Sequence, residues 1–301
     1  MSAVRPTDEV IALFVSDIHL SLKPPAARAG EPDWFAAMAK PLGQLKRLAD
    51  RYKVPIFCAG DLFDRWNSPP ELINFALEHV PHIYCIPGQH DLPYHDFSLV
   101  KRSAYWTLVE AGKIKHLTEY STQDLFVMAS PWGKPLYPAE ADGVCIAIQH
   151  RYVYKGKGHP GASEDANVRN LKDELGGYTF AMFGDNHGAF EAVVDGTMVI
   201  NCGCFMRRKA DEAEYTPRIV ALTRAGMVRS IPLDTSGEVI EATTEDEIEE
   251  DDETDVSAFL DELNSLGHED LDFRDAVLRM MNKKNVSDGV RRTLLEAMCD
   301  G

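Results

Sequence analysis

The sequence lacks a long uninterrupted run of apolar residues, although 45% of its 301 residues are hydrophobic. A helix that crosses a bilayer needs roughly 20 consecutive apolar residues, so we predict no membrane span and no membrane partner. Residues Met1 to Glu9 are polar and lack the apolar core that secretory signals have. These absences predict a protein that works in the cytoplasm.

Cysteine is scarce, with six residues in the chain. Cys58, Cys85 and Cys145 stand inside apolar, strand-like runs, where cysteine usually serves as a small buried hydrophobic residue. The Cys-Gly-Cys triplet at 202–204 is too tightly spaced for a usual zinc knuckle, and no second cysteine pair complements it. We therefore predict neither a disulfide nor a structural zinc site.

Basic residues are rare in one part of the chain, which explains the net charge of −17. Residues 234–301 carry 21 acidic and 6 basic side chains, whereas residues 1–233 carry 27 and 25. The main part is therefore close to neutral, and its charge does not exclude a phosphate-rich substrate. Residues 241–255 hold ten acids and no base, a composition that usually stays extended.

We divide the chain into a main domain at 1–233, an acidic linker at 234–255 and a helical segment at 256–301. The linker is interpreted as a solvated tether, with a DNA-mimicking self-inhibitor as the alternative. The last segment contains three short amphipathic helical patterns, which are too small to form much of a core alone. We expect them to dock on the main domain or on another protein.

Strand-like apolar runs alternate with helical patterns early in the chain and dominate later. Residues 32–52 have helical spacing, and Pro41 is expected to kink or divide that helix. Ser68 is predicted to cap the next helix, with Pro69 at its first position and Glu71 completing a capping box. This order predicts an α/β (α+β) fold of two packed sheets flanked by helices. Strands are predicted at 10–15, 55–59, 82–86, 125–129, 144–149, 178–183, 190–194, 197–201, 217–222 and 227–232.

Five clusters of acidic, amide and histidine residues each follow a short β-type run. Strand ends are where α/β folds place ligand sites, so the clusters are expected to meet at one site. Each cluster alone has an ordinary structural explanation, such as a turn or a helix cap, but five in succession indicate metal-ligand chemistry. The clusters are Asp17-Ile18-His19, Gly60-Asp61-Leu62-Phe63-Asp64, Gly88-Gln89-His90-Asp91, Gln149-His150 and Gly184-Asp185-Asn186-His187.

These residue types fit a pair of divalent metal ions that hydrolyses a phosphoester. Two such ions offset the charge of the phosphate, orient it and make hydroxide at neutral pH. Asp61 is expected to bridge the ions, because it follows a glycine at a strand end. For Asp185 there is an alternative, in which it supports a neighbouring ligand and does not bind an ion itself. The first ion is expected to bind Asp17, His19 and His187, and the second Gln89, His150 and Asp185.

The order Asp-x-His, Gly-Asp-x-x-Asp, Gly-Gln-His-Asp, His, Gly-Asp-x-His resembles that of calcineurin-like metallophosphoesterases, from about residue 10 to 205. Within that superfamily the chain is most similar to the SbcD-type DNA repair nucleases, including the phage versions. The likeness is carried by the motifs at 60–64, 68–70, 86–88 and 201–208. It implies a two-sheet metallophosphoesterase sandwich with a C-terminal helical appendage.

Two positions depart from the family pattern. Gln89 stands where the family has Asn, and Asp185 stands where it has the first His of Gly-His-x-His. Both side chains still offer oxygen to a metal, and one is longer and the other shorter than the residue it replaces. A second site richer in oxygen favours hard ions, so Mn²⁺ or Mg²⁺ is expected rather than Zn²⁺.

The resemblance also implies a mechanism and partners. Water between two Mn²⁺ ions would attack phosphorus in line, and His90 would protonate the leaving alkoxide. Asp64 would orient His90, because an imidazolium held by a carboxylate is a good acid, and Asp91 would steady the loop. The implied partners are DNA, an SMC-like coiled-coil ATPase of the SbcC type bound through the C-terminal helices, and a second copy in a homodimer.

Two basic pairs are candidate substrate contacts. Arg151 and Tyr152 begin a basic, aromatic stretch that can follow a nucleic-acid backbone. Arg207 and Arg208 can contact phosphates. For each pair the alternative is a solvated loop that contacts no substrate. The leading hypothesis is a metal-dependent DNA nuclease. A phosphatase or phosphodiesterase acting on small nucleotides or phosphoproteins is one alternative, and a catalytically weakened scaffold subunit is another.

Overall fold

The computed structural model describes residues 8–139 and 143–241. Within these ranges the chain forms three α-helices and two six-stranded sheets, so the predicted α/β sandwich flanked by helices is confirmed. The helices are α1 (Trp34–Tyr52), α2 (Pro70–His79) and α3 (Ala104–Glu110). The strands are β1 (Val10–Val15), β2 (Ile56–Cys58), β3 (Ile83–Cys85), β4 (Ile114–His116), β5 (Glu119–Ser121), β6 (Phe126–Ser130), β7 (Cys145–His150), β8 (Phe180–Gly184), β9 (Phe190–Val194), β10 (Thr197–Asn201), β11 (Arg218–Thr223) and β12 (Val228–Pro232).

Each sheet has a parallel centre. The first sheet has the order β12-β11-β1-β2-β3-β4, in which β1 to β4 are parallel and β11 and β12 pair antiparallel. The second has the order β5-β6-β7-β8-β10-β9, with β6, β7, β8 and β10 parallel. Every predicted strand is present. Strands β4 and β5 were not predicted, because Ile-Lys-His and Glu-Tyr-Ser each hold a single apolar residue and show no strand pattern.

The core has layers on both faces of the first sheet, and a third cluster packs on the outer face of the second sheet. In β1, Leu13 and Val15 pack toward the helices, whereas Ile11 and Phe14 face the second sheet. Burial on both faces explains why β1 is a continuous apolar run rather than an alternating one. The core between the sheets also contains Phe57, Ile146, Ile148, Met182 and Ile200.

The helix boundaries correct two details of the sequence prediction. Pro41 lies inside α1, so the helix continues through it, and of the two predicted effects, a kink or a division, the division is wrong. Ser68 does not cap α2, because its hydroxyl donates to the carbonyl of Arg65 at 2.8 Å. The N-cap residue is Pro69, and α2 begins at Pro70 without a side-chain cap. Proline has no N–H to satisfy and its fixed φ suits the first helical position, so this start needs no capping side chain.

The described part of the chain continues past the main domain into a strap at residues 234–241, which runs along the region of Ala27. The amide of Glu241 donates to the carbonyl of Ala27 at 2.8 Å, and the amide of Val239 donates to Glu31 at 2.9 Å. The rest of the predicted linker and the helical segment at 256–301 lie outside the described residues. No helix in the described ranges is long and apolar enough to cross a membrane.

Candidate metal centre

The five predicted clusters meet where the carboxyl ends of the parallel strands of both sheets come together. Backbone hydrogen bonds join the turns that follow β1 and β2: the amide of Asp17 donates to the carbonyl of Gly60 at 3.0 Å, and that of His19 to Asp61 at 2.9 Å. From the second sheet, the amide of Asp185 donates to the Asp17 carboxylate at 3.0 Å. Residues far apart in sequence therefore share one site.

Four of the expected ligands have left-handed backbone conformations. The φ angles are 52° at Asp17, 48° at His19, 53° at Asp61 and 77° at Asp185. Eight non-glycine residues have positive φ in the described ranges, so half of them are expected ligands. Such a conformation costs roughly 1–2 kcal/mol per residue and persists where the surroundings hold it, which is common at functional sites.

Asp17, His19 and His187 form the group expected to hold the first ion. Their ligand atoms all lie within 4.8 Å of one another. Nε2 of His19 lies 3.2 Å from Nε2 of His187 and 4.0 Å from an oxygen of Asp17. Asp17 and His19 are buried, with exposed fractions of 0% and 3%.

Asp61 and His150 form the centre of the second group. An oxygen of Asp61 lies 3.2 Å from Nε2 of His150 and 3.7 Å from Nε2 of His19, which places this carboxylate between the two groups, as expected of a bridge. Nδ1 of His150 lies 2.6 Å from the carbonyl of Ala59, so Nδ1 donates and Nε2 faces the carboxylate. Gly60 makes this approach possible, because a Cβ there would overlap the His150 ring.

The two departures from the family pattern touch each other. The amide nitrogen of Gln89 donates to the carboxylate of Asp185 at 2.7 Å. The amide oxygen of Gln89 is buried without a hydrogen-bond partner, so it is the atom left to bind a metal. Asp185 does not belong to the closely spaced carboxylate and histidine groups of the described residues, and its carboxylate instead meets Gln89.

His90 lies beside the first group, but its partner differs from the expected one. Its ring is 5.0 Å from that of His19, and its Nδ1 lies 3.0 Å from the backbone carbonyl of Asp64. The prediction that the Asp64 carboxylate orients His90 is therefore wrong. That carboxylate instead lies 2.5 Å from the guanidinium of Arg208 and 3.6 Å from Nδ1 of His19. Asp64 acts on His90 through its main chain.

Asp91 organises the loop that carries Gln89 and His90. Its buried carboxylate accepts hydrogen bonds from the amides of Leu62 at 3.0 Å, Phe63 at 2.9 Å and Gly88 at 3.1 Å. Burial and the neighbouring Asp61 raise the pKa of Asp91 to about 7, while these amides oppose the rise. One side chain thus ties the turn after β2 to the turn after β3.

The buried polar atoms of the site fit a pair of divalent ions. Seven buried side-chain nitrogen or oxygen atoms of the described residues lack a hydrogen-bond partner, and four of them belong to expected ligands. An unsatisfied buried polar atom costs about 1–3 kcal/mol, and carboxylate, amide and imidazole atoms are ligands for hard divalent ions. The four atoms are Oδ2 of Asp17, Nδ1 of His19, Oε1 of Gln89 and Nε2 of His150. Three of them suit the expected ions, whereas Nδ1 of His19 lies 3.6 Å from the Asp64 carboxylate and its Nε2 faces the first group.

Charge is concentrated among these groups, and their pKa values move accordingly. Burial raises the pKa of Asp17 and lowers that of His19 to about 3. Burial, the largest single effect, opposes the ionisation of Asp61 and His150. Their attraction to each other and to further groups of opposite charge together outweighs it, so the pKa of Asp61 falls and that of His150 rises. Metal ions require deprotonated ligands, so binding here is expected to release protons.

The predicted substrate contacts fall in different places. Arg208 touches the site through Asp64 and also donates to the carbonyl of His19 at 3.0 Å. The guanidinium of Arg207 instead bonds Glu238 at 2.8 Å, in the strap. Arg151 is paired with Glu174 at 2.6 Å, and the hydroxyl of Tyr152 accepts from the amide of His159 at 3.3 Å. The structure therefore brings Arg208 to the centre but not the other three.

Sequence reasoning missed one side chain of the site, Glu212. It lies in a short 3-10 turn, and its carboxylate is 3.4 Å from Nδ1 of His187. No motif marks it, because it stands 25 residues from its partner in an ordinary polar stretch. The sequence feature closest to Glu212 is the pair Arg207 and Arg208, which was a candidate substrate contact and ends four residues before it.

Comparison with known proteins agrees with this geometry. The family model for calcineurin-like phosphoesterases matches residues 12–189. None of the curated proteins matches the chain.

The similar solved structures include three that share low sequence identity with this chain. A novel archaeal phosphodiesterase has 15% identity and a TM-score of 0.40, covering 74% of this chain and 99% of its own. The protein TT1561 of Thermus thermophilus has 15% identity and a TM-score of 0.43, covering 75% and 99%. A metallophosphoesterase from Sphaerobacter thermophilus has 13% identity and a TM-score of 0.38, covering 75% and 88%. These likenesses are distant, and the assignment rests on the family model. Because that model spans more than half of the sequence, the chain belongs to the calcineurin-like phosphoesterase family.

Proposed function

We propose that this chain is a metal-dependent nuclease that hydrolyses phosphodiester bonds of DNA. The observation that carries the hydrolytic part is the convergence of Asp17, His19, Asp61, His150 and His187 beside His90. When bound there, a pair of divalent ions neutralises phosphate charge and makes hydroxide available at neutral pH. The ions expected are Mn²⁺ or Mg²⁺, because Gln89 adds an oxygen ligand.

His90 is the proposed acid for the departing alkoxide. A carbonyl oxygen only accepts hydrogen bonds, so the contact with Asp64 places a proton on Nδ1 of His90. Nε2 is then free to carry the second proton of an imidazolium and to donate it to the leaving oxygen. Positioned acids of this kind contribute roughly 10²–10⁴-fold to a rate.

An aromatic pair near His90, formed by half-buried Trp66 and exposed Tyr94, supports a nucleic-acid substrate. The rings of Trp66 and Tyr94 are 5.9 Å apart, and Tyr94 is 63% exposed. Tyr94 follows His90 by four residues and therefore lies within roughly 14 Å of it along the chain. Trp66 follows Asp64 by two residues, and the carbonyl of Asp64 contacts His90. An exposed aromatic face beside a phosphate site suits a stacked nucleobase.

The partner in this proposal is an SMC-like coiled-coil ATPase of the SbcC type. It would bind the helical segment at 256–301, and a homodimer of the nuclease would provide two such segments. The DNA repair or processing role follows from this pairing and from the resemblance to SbcD-type nucleases.

The test is digestion of linear duplex and single-stranded DNA by the purified chain in Mn²⁺, with His90→Asn and a matched control. His82→Asn is the control, because His82 is exposed and stands directly before β3, the strand that leads to His90. We expect His90→Asn to lower the cleavage rate by roughly 10²–10⁴-fold, and His82→Asn to leave it unchanged.

The outcomes separate the candidate functions. Cleavage of DNA that His90→Asn abolishes supports the nuclease. Hydrolysis of a small phosphodiester without cleavage of either DNA, also in the presence of a cognate ATPase, indicates the small-substrate enzyme instead. A chain that binds metal but hydrolyses neither substrate is a scaffold, and the proposal is then wrong.

A further inference from the structure

We infer that Glu212 is a positioning residue that holds His187 in the orientation and tautomer needed to bind the first metal ion. The inference rests on the proposed metal site and not on the nature of the substrate.

The two nitrogens of His187 face two different environments. Nε2 lies 3.2 Å from Nε2 of His19, inside the ligand group, whereas Nδ1 lies 3.4 Å from Oε1 of Glu212. A neutral imidazole carries one proton, so Nε2 can bind a metal only if that proton is on Nδ1. A carboxylate facing Nδ1 favours this tautomer, and such carboxylates commonly support metal-binding histidines.

Glu212 is itself held in place. Its other oxygen, Oε2, accepts hydrogen bonds from the amides of Arg208 at 2.5 Å and Lys209 at 3.1 Å. The side chain is 11% exposed, so water competes little for these contacts. A carboxylate fixed by two amides can fix the imidazole that it touches.

A third metal site is the competing explanation for the same residues. The ligand atoms of His187, Cys204 and Glu212 lie within 4.8 Å of one another. Both oxygens of Glu212 already accept hydrogen bonds, and Nδ1 of His187 is the donor to one of them. Both oxygens of Glu212 are therefore already used by hydrogen-bond donors, and one of these donors, His187, belongs to the first metal group.

The turn that carries Glu212 also supports the opposite side of the first group. The guanidinium of Arg208 donates to the carbonyl of His19 at 3.0 Å and to the carboxylate of Asp64 at 2.5 Å. Arg208 and Glu212 thus tie the segment after β10 to both histidines of the first ion. This segment lies outside the run of clusters from 17 to 187 that the sequence alone identifies.

The test measures metal binding by the full-length chain without any substrate. Mn²⁺ binding is followed by calorimetry for the wild type, Glu212→Ala, Glu212→Gln and the control Asp211→Asn. Glu212→Ala is expected to weaken one of the two ions by roughly 10–100-fold and to leave the other unchanged. Glu212→Gln should lose less, because its amide oxygen still accepts from Nδ1. Asp211 is exposed and loses the same charge, so its variant should bind as the wild type does.

A spectroscopic measurement separates positioning from simple stabilisation of the turn. In the Mg²⁺-loaded protein, ¹⁵N shifts of His187 should show the proton on Nδ1 in the wild type and a weakened preference in Glu212→Ala. Unchanged affinity for both ions in Glu212→Ala, with only a lower free energy of unfolding, overturns the inference. If that variant does not fold, Glu212→Met, which fills the space without a carboxylate or amide acceptor, takes its place, and wild-type affinity for both ions in it overturns the inference. Failure of the wild type to bind any metal counts against the proposed function instead.

Discussion

The residues of the centre combine burial with charge, an arrangement that the fold alone does not require. Asp17 and Asp61 are almost fully buried, and buried carboxylates are costly unless they are paired or bind metal. Asp61 faces two imidazoles, yet Asp17 keeps one oxygen without a hydrogen-bond partner. Individual side chains here are arranged for a ligand rather than for stability.

Gln89 and Asp185 show how two substitutions adjust to each other. Their side chains meet at 2.7 Å, so the longer amide reaches the shorter carboxylate. This contact uses the amide nitrogen and leaves the amide oxygen for a metal. The proposed preference for Mn²⁺ or Mg²⁺ follows from that oxygen.

Tyr94 provides a prediction at the level of one residue. Replacing Tyr94 with Ala should weaken binding of single-stranded DNA by roughly 5–150-fold, because a stacked base contributes about 1–3 kcal/mol. Hydrolysis of a small phosphodiester without an aromatic group should not change. The measurements are the DNA dissociation constant and kcat on the small substrate.

The matched variants for this prediction are Tyr94→Phe and Tyr137→Ala. Phenylalanine keeps the ring and should bind DNA as the wild type does. Tyr137 is an equally exposed tyrosine, 70% accessible, outside the described contacts of the centre. Equal weakening by Tyr94→Ala and Tyr137→Ala would show that Tyr94 has no special role in stacking.

Short turns after the strands place the ligands, and glycine makes one of these turns possible. Gly60 follows β2 with a φ of 102°, and a Cβ at this position would overlap the ring of His150. The turn must adopt a left-handed backbone and also leave room for a side chain from the other sheet. Only glycine satisfies both requirements at low cost.

Replacing Gly60 with Ala tests this requirement at the level of the turn. The left-handed conformation should cost about 1–2 kcal/mol, and the overlap with His150 a further 1–3 kcal/mol. We therefore expect a loss of roughly 2–5 kcal/mol in the free energy of unfolding, measured with denaturant, together with weaker Mn²⁺ binding.

Gly112→Ala is the control for backbone strain. Gly112 also has a positive φ, 68°, but no atom lies within 4 Å of a Cβ built there. It should lose only the cost of the conformation, about 1–2 kcal/mol, and keep its metal affinity. Equal losses in the two variants would mean that the His150 contact does not constrain Gly60.

The whole molecule joins two sheets so that ligands from each meet at one edge. Asp17, Asp61 and Gln89 follow strands of the first sheet, whereas His150 and Asp185 come at the ends of strands of the second. Bound metal would therefore link the two layers of the sandwich. Ligands that bind only the folded state stabilise it by mass action.

Metal should accordingly raise the thermal stability of the entire domain. At a Mn²⁺ concentration roughly 100 times the dissociation constant, the gain is about 2.7 kcal/mol for one site, and a chelator should reverse it. Asp61→Asn should lose most of the metal-induced rise in Tm, whereas Asp173→Asn, at an exposed position, should keep it. Calorimetric scans with and without Mn²⁺ make the comparison. An equal rise in both variants would remove Asp61 from the site.

Local patterns in the sequence were sufficient to predict ten of the twelve strands of the described ranges, two packed sheets flanked by helices, and the clusters that meet at the centre. A strand that is buried on both faces must be apolar throughout, as β1 is, and a metal needs acids, amides and histidines wherever the fold places them. Asp17, His19, Asp61, His150 and His187 therefore stood out from residue type and position after a strand. The sequence showed that Gln89 is longer and Asp185 shorter than the family residues they replace, but it did not show that their side chains touch.

Tertiary structure alone decided which groups act on one another. The backbone carbonyl of Asp64 contacts His90, whereas its carboxylate accepts a hydrogen bond from Arg208. The sequence could not show this, because every residue has a backbone carbonyl. Arg207 and Arg208 are neighbours, yet one bonds the strap and the other the centre. Glu212 reaches His187 only because the chain returns to the site after β10. Residue type limits what a side chain can do, but its partner is chosen by distances that exist only after the sheets pack.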